Sequence, residues 1–134
     1  DGSVVIIIAT DAPLSDRNLR RVAERAFAGI ARTGSSFSNG SGDYALAFST
    51  AQAVRRTADR RTDAASVQDL PNDRISPIFQ AAIEATEEAV LNALFKADTV
   101  EGHRGTADAL PLDKVLPMLK SRGDAQSRKR LFGP

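Results

Sequence analysis

SVVIIIAT, residues 3–10, holds five consecutive β-branched side chains from Val4 to Ile8. Branching at Cβ restricts χ1 and favours an extended chain, so the spacing predicts a β-strand here. The apolar residues run without alternation, which predicts burial of Val4 to Ala9 on both faces, as in the middle of a layered fold. Asp11-Ala12-Pro13 ends the strand. Ser15 is suited to N-cap a helix running to about Arg32. Leu19, Val22, Ala23, Ala26, Phe27 and Ile30 form its apolar stripe at helical spacing, with Arg17, Arg20, Arg21 and Arg25 on a solvated face beside Asp16 and Glu24. Gly34 is placed to end the helix.

A second strand is predicted over DYALAFST, Asp43 to Thr50. Tyr44, Leu46, Phe48 and Thr50 share one face; Asp43, Ala45, Ala47 and Ser49 share the other, where small side chains leave room for a close-packed neighbour. Residues 52–74 are polar and of mixed charge, and read as an exposed excursion. Ser76 and Pro77 make an N-cap and N1 pair for a helix to about Ala97, with Phe79, Ile83, Thr86, Val90, Ala93 and Leu94 on one face. Glu101 to Asp108 reads as a glycine-bearing loop. Asp113 can cap a short helix to about Ser121 that Pro117 confines to one or two turns. Residues 123–134 read as a polar, basic, flexible tail. Residues 1–134 are thus expected to form part of a single domain, the strand needing sheet neighbours from another chain.

Several function classes are excluded by composition. The chain has 134 residues and no cysteine, which removes disulfide scaffolds, thiol nucleophiles and iron–sulfur clusters. With His103 the only histidine, no metal-ligating cluster is visible and no cofactor is expected. A Ser-His-Asp triad would have to run through His103, which sits in the hydrophilic loop EGHRG as an ordinary surface residue. Lysine plus arginine number 18 and aspartate plus glutamate 17, so the charge gives no case for nucleic acid or an anionic membrane. The longest apolar run is too short to span a bilayer, and no basic segment precedes it as in a signal peptide. GSSFSNGSG, residues 34–42, lacks the lysine and the following helix of a phosphate-binding loop. Asp1 is no initiator residue and Met118 is the only methionine, so the sequence reads as a processed product, an excised fragment or, most simply, a trimmed boundary.

One constellation carries chemistry: Gly2-Ser3 at the head of the first strand and Ser41-Gly42-Asp43 at the head of the second. Were Ser3 an N-terminus, its α-amine would titrate near about 7.7–8 and could take the proton of its own hydroxyl at neutral pH. Ser3 Oγ could free that amine itself by attacking the Gly2 carbonyl and passing through an ester. Ser41 and Asp43, two apart in an extended segment, point the same way. A carboxylate beside a hydroxyl can orient it toward an amine and stabilise the ammonium. On chemistry alone the simpler reading of GSGD is a turn entering a strand, with Ser and Asp as ordinary turn residues.

DGSVVIIIATDAPLS, then a helix, then NGSGDYALAFSTA resembles the β-chain of a bacterial family of N-terminal serine hydrolases, the L-aminopeptidase D-amidase/D-esterase and β-peptidyl aminopeptidase family. The resemblance is densest over residues 1–51 and continues more loosely through EEAVLNAL to Leu119. It implies a precursor that cuts itself between Gly2 and Ser3. It also implies an α+β fold: a four-layer αββα sandwich like that of N-terminal-nucleophile hydrolases, completed by a separate α-chain from the same precursor. Ser3 matches the family's nucleophile, while Ser41 and Asp43 match the pair supporting it. Oxyanion-hole and substrate-amine contacts are expected from the α-chain, and assembly into a tetramer of αβ units is implied.

The function expected on this basis is an autoprocessed serine aminopeptidase, amidase and esterase acting on small peptides, amides or esters through an acyl-enzyme, β-amino-acid peptides among the candidates. Two alternatives stand beside it: an acyltransferase related to ornithine acetyltransferase, whose nucleophile is typically threonine, and an inactive structural or binding subunit of the same fold. The expected compartment is the cytoplasm, or the periplasm if the α-chain carries a signal peptide.

Overall fold

In the computed structural model, which describes residues 2–62, 64 and 66–121, strands β1 (Val5–Thr10) and β2 (Tyr44–Ser49) pair in parallel with Val5 opposite Tyr44 and Thr10 opposite Ser49. Helix α1 (Asp16–Arg32) connects them. Tyr44 N–H donates to the Val4 carbonyl at 2.9 Å and Thr50 N–H to the Thr10 carbonyl at 2.8 Å, carrying the pairing past both ends of the strands. Ser49 Oγ donates to the Ala12 carbonyl at 2.6 Å and Thr10 Oγ1 accepts from Ala12 N–H at 3.1 Å, fixing the turn that leaves β1. The chain forms two compact units, Asp1–Val90 and Leu91–Pro134, to both of which helix α2 (Ser76–Lys96) contributes.

In the first unit the expected β-α-β order holds. Ser15 is the N-cap of α1, its hydroxyl accepting from Asn18 N–H, and the helix ends at Thr33 with Gly34 at φ +101°. Alternation on β2 works as read: α1 packs on the side of Ala45 and Ala47, the small residues admitting it. Burial of β1 on both faces, expected with neighbours from another chain, is not reached within this chain by itself. Ile6 and Ile8 are half-buried toward α1, but Val5 is 71% exposed and Ile7 66%, beside Tyr44 at 68%. Among the described residues no second layer covers that face. Its apolar composition registers a need for burial without naming what supplies it.

The core is built around Leu14, Val22, Ile75 and Ala82, with Ile8, Ala47, Leu70 and Phe79 packed against it. Leu14 and Ile75 belong to connecting segments, where periodicity gives no signal. The excursion over residues 52–74 is largely exposed but tied down. Arg60 donates to the carbonyls of Gln52, Ala53, Arg55 and Ser66. Asp69 accepts from Ser15 N–H at 2.9 Å, Ser15 Oγ at 2.7 Å and Asn18 Nδ2 at 2.8 Å. Asn18 is buried, and its amide also donates to the Leu70 carbonyl while its oxygen accepts from Arg21. The arginine face of α1 is therefore only partly solvated. Arg20 pairs with Glu24 in the open, but the Arg21 and Arg25 guanidinium carbons lie 4.9 and 4.5 Å from the Phe79 ring centroid.

Ser76 does not cap α2. A 3-10 turn, Asn72–Arg74, leads straight into the helix, and the Ile75 carbonyl accepts the first bonds, from Ile78 and Phe79. Ala82 and Thr86 are the buried residues of α2, while Ala93 and Leu94 on the expected face are exposed. Helix α1 crosses α2 at Gly29, where an added Cβ would lie 2.6 Å from the Ile83 carbonyl oxygen and 2.7 Å from Thr86 Cβ.

In the second unit the expected loop is a hairpin, β3 (Val100–Gly102) against β4 (Gly105–Ala107), turning through His103-Arg104 with Gly105 at φ +137°. Its polar strand residues carry no apolar alternation to betray it. A helix occupies 112–121, with Pro117 inside it and the Pro111 carbonyl, rather than an Asp113 cap, taking its first bonds. The tail expected over 123–134 lies outside the described residues. No described helix is long and apolar enough to cross a membrane.

Gly29→Ala should destabilise the protein by about 1–3 kcal/mol or more through overpacking, read by urea unfolding; an unchanged midpoint would show that the helices separate freely. Burial raises the Asp69 pKa, but the bonds from Ser15 and Asn18 outweigh it and hold the carboxyl below its usual value of 3.8. A depressed folded pKa stabilises above the unfolded value and is lost as pH falls through the folded one. Wild-type stability should thus drop below about pH 4 more steeply than that of Asp69→Asn, which should be weaker at pH 7; parallel curves would remove Asp69 from the account.

Candidate active site

The β1–β2 register, continued two residues beyond Val5↔Tyr44, sets Ser3 opposite Gly42. Parallel pairing thereby brings the ends of two distant segments together. Ser41 Oγ lies 2.7 Å from the Gly2 carbonyl oxygen and 2.9 Å from Asp43 Oδ1. A hydroxyl has one proton, so Ser41 donates to one of these acceptors at a time or shares the proton between them. Gly42 N–H donates to Ser3 Oγ at 3.0 Å. All the residues singled out in the sequence, Gly2, Ser3, Ser41 and Asp43, are thus within one hydrogen-bonded group. Ser3 is exposed, and Ser41 and Asp43 are half-buried.

This group has the parts for acyl chemistry. The Gly2–Ser3 peptide has the Ser3 hydroxyl on its nitrogen side and the Ser41 hydroxyl at hydrogen-bond distance from its carbonyl oxygen, with the Asp43 carboxylate as the second acceptor for the Ser41 proton. His103 falls in the second unit, exposed at the hairpin turn. Among the described residues no group of three or more His, Asp or Glu is placed to hold a metal ion.

Two features were not foreseen. Gly42 supplies a backbone donor to Ser3; the glycine in SGD is its only trace in the sequence. Phe37, at φ 49°, adopts a left-handed conformation rare for a bulky residue and packs edge-on to Phe27 of α1 with ring centroids 6.1 Å apart. This pair pins the connection between α1 and β2 a few residues before Ser41. With Ser41 and Asp43 it lines a cleft of about 390 Å³. Nothing in GSSFSNGSG marks its phenylalanine for that conformation.

Comparison with known proteins places the chain in a family. The chain is 46% identical over 121 residues to β-peptidyl aminopeptidase BapA of Sphingosinicella microcystinivorans, covering 90% of this chain and 30% of that one. It superposes on the PH0078 protein of Pyrococcus horikoshii OT3 with a TM-score of 0.79 at 46% identity, over 88% of this chain and 33% of that one. It superposes also on the L-aminopeptidase D-Ala-esterase/amidase of Ochrobactrum anthropi, a serine aminopeptidase with a variant of the Ntn hydrolase fold. There the TM-score is 0.77 at 33% identity, over the same 88% and 33%. The chain therefore spans about a third of the length of these relatives. Peptidase family S58 matches residues 1–108, and with that span, an α+β architecture and a serine-centred cluster at the head of β1, the chain belongs to peptidase family S58.

Proposed function

We propose that the whole protein is an autoprocessed serine aminopeptidase, with amidase and esterase activity, and that Ser3 is its nucleophile. The observation that carries this is the convergence of Ser41, Asp43 and the Gly42 amide on the Gly2–Ser3 linkage. The aminopeptidase relatives support it. Ser3 Oγ attacks the Gly2 carbonyl while Ser41 donates to the oxygen on which charge develops. After cleavage the freed α-amine serves as general base for the same hydroxyl. Ser41 and Asp43 hold that amine and stabilise it as the ammonium. The hydroxyl then attacks the carbonyl of a substrate's N-terminal residue, and water releases the acyl-enzyme. β-Amino-acid peptides are candidate substrates by analogy with the named relative. A serine at position 3 and membership of S58 favour hydrolysis over the acyltransferase alternative.

The remaining two-thirds of the protein is proposed to supply an α-chain that completes a four-layer αββα sandwich, further assembled as a tetramer of αβ units. The bare face of Val5, Ile7, Tyr44, Leu46 and Phe48 supports this, since covering each large side chain would contribute about 1.5–3 kcal/mol. Residues 3–134 expressed alone should aggregate or stay molten; a soluble monomer that melts cooperatively would remove the need for a partner.

Purified precursor should convert to two chains, the smaller one reading SVVIIIAT by N-terminal sequencing, whereas Ser3→Ala should stay uncut. Full conversion of Ser3→Ala would make that hydroxyl irrelevant to cleavage. In processed enzyme, Ser41→Ala and Asp43→Asn should each lower kcat by about 10²–10³ or somewhat less, with little change in KM. The double variant should be little worse than either single, because the two act as one unit. Wild-type kcat and an unchanged pH profile in processed Asp43→Asn would reduce GSGD to a turn.

A further inference from the structure

The backbone amide of Gly42 donates to the Ser3 hydroxyl oxygen at 3.0 Å. Gly42 itself is not required by backbone conformation: its φ lies outside the left-handed region that Gly34 and Gly105 occupy. What its missing side chain provides is space. A Cβ at position 42 would stand 3.4 Å from Ser3 Oγ and 3.7 Å from Tyr44 Cε2, an ordinary contact with the free hydroxyl. An acyl group on Oγ would crowd that methyl.

We propose that Gly42 is a catalytic residue of this site, acting through its N–H on the nucleophile oxygen itself and through the opening that glycine leaves beside it. The assignment rests on Ser3 being the nucleophile. In self-cleavage the Ser3 Oγ–Gly2 carbonyl carbon bond forms and the Gly2–Ser3 C–N bond breaks. The hydroxyl proton ends on the Ser3 nitrogen, giving an ester and an amine. Water then adds to the ester carbon, releasing Gly2 as a carboxylic acid and returning a proton to Oγ. Oγ gains negative charge as it loses its proton, and again as it leaves the ester. A fixed N–H on that oxygen stabilises it at both points without reorganisation. The same holds for each acyl-enzyme formed in turnover. This role differs from that of Ser41 and Asp43, which act on the carbonyl oxygen and the amine.

The full-length protein with glycolic acid in place of Gly42, introduced by nonsense suppression, exchanges this N–H for an ester oxygen and keeps the shape. Labelling of Ser3 by phenylmethanesulfonyl fluoride reads the nucleophile directly: an Oγ–S bond forms, fluoride leaves, and the amine takes the proton. The ester variant should label about tenfold more slowly or worse, with the midpoint of its pH profile unmoved, because the amine that sets the midpoint keeps its partners. A wild-type labelling rate would overturn the proposal, and so would a moved midpoint, which marks general distortion of the site. Label found on a residue other than Ser3 in wild-type protein would instead sink the nucleophile assignment. Should the ester variant fail to mature, Gly42→Ala decides. It keeps the donor but narrows the opening, so its labelling relative to wild type should fall more with phenylmethanesulfonyl fluoride than with the smaller methanesulfonyl fluoride. Equal rates relative to wild type for both reagents would overturn the proposal.

Discussion

Everything at the candidate site depends on the register between β1 and β2. The two strands are far apart in sequence and parallel, so no tight turn fixes their alignment. Side chains along each strand do it instead. Ala45 and Ala47 must face α1, and Ile6 and Ile8 must face the same layer. A slip by one residue would turn Tyr44 and Leu46 into a space that only small side chains fit. It would also carry Ser3 away from Gly42 and Ser41 from Gly2. Packing that has nothing to do with chemistry therefore sets distances that do.

That layer is itself held by contacts that local sequence hides. Gly29 lets α1 and α2 approach until backbone meets side chain, so the crossing point is fixed by a missing atom. Asp69 then ties the excursion to the N-terminus of α1, satisfying donors that would otherwise be left over at the first turn. The segment delivers Leu70 and Ile75 to the core directly after this polar anchor. A stretch that looks like solvated linker is thereby what closes the core on its open side.

How far the sequence could be read follows from what each feature depends on. β1, α1 and β2 were legible because branching, helical spacing and alternation are local. The grouping of Ser3, Ser41 and Asp43 was legible because two short motifs sit at the heads of two strands, and pairing those strands brings the motifs together. Leu14 and Ile75, in connecting segments, had no period to reveal them. Neither did the stacking of Arg21 and Arg25 on Phe79, which needs two helices to be placed first. The uncovered face of β1 was legible as a need only: five apolar residues in a row state that both faces call for cover, and within the described residues Val5 and Ile7 have none.

The ladder between the strands begins with Tyr44 N–H on the Val4 carbonyl, one residue beyond Ser3. A nick in the backbone between Gly2 and Ser3 therefore severs no bond of the sheet. The strand that would carry the new terminus is already held along its whole length by β2. Covalent continuity at that point is dispensable to this part of the fold, and a freshly exposed end would start one residue from the first rung of the ladder.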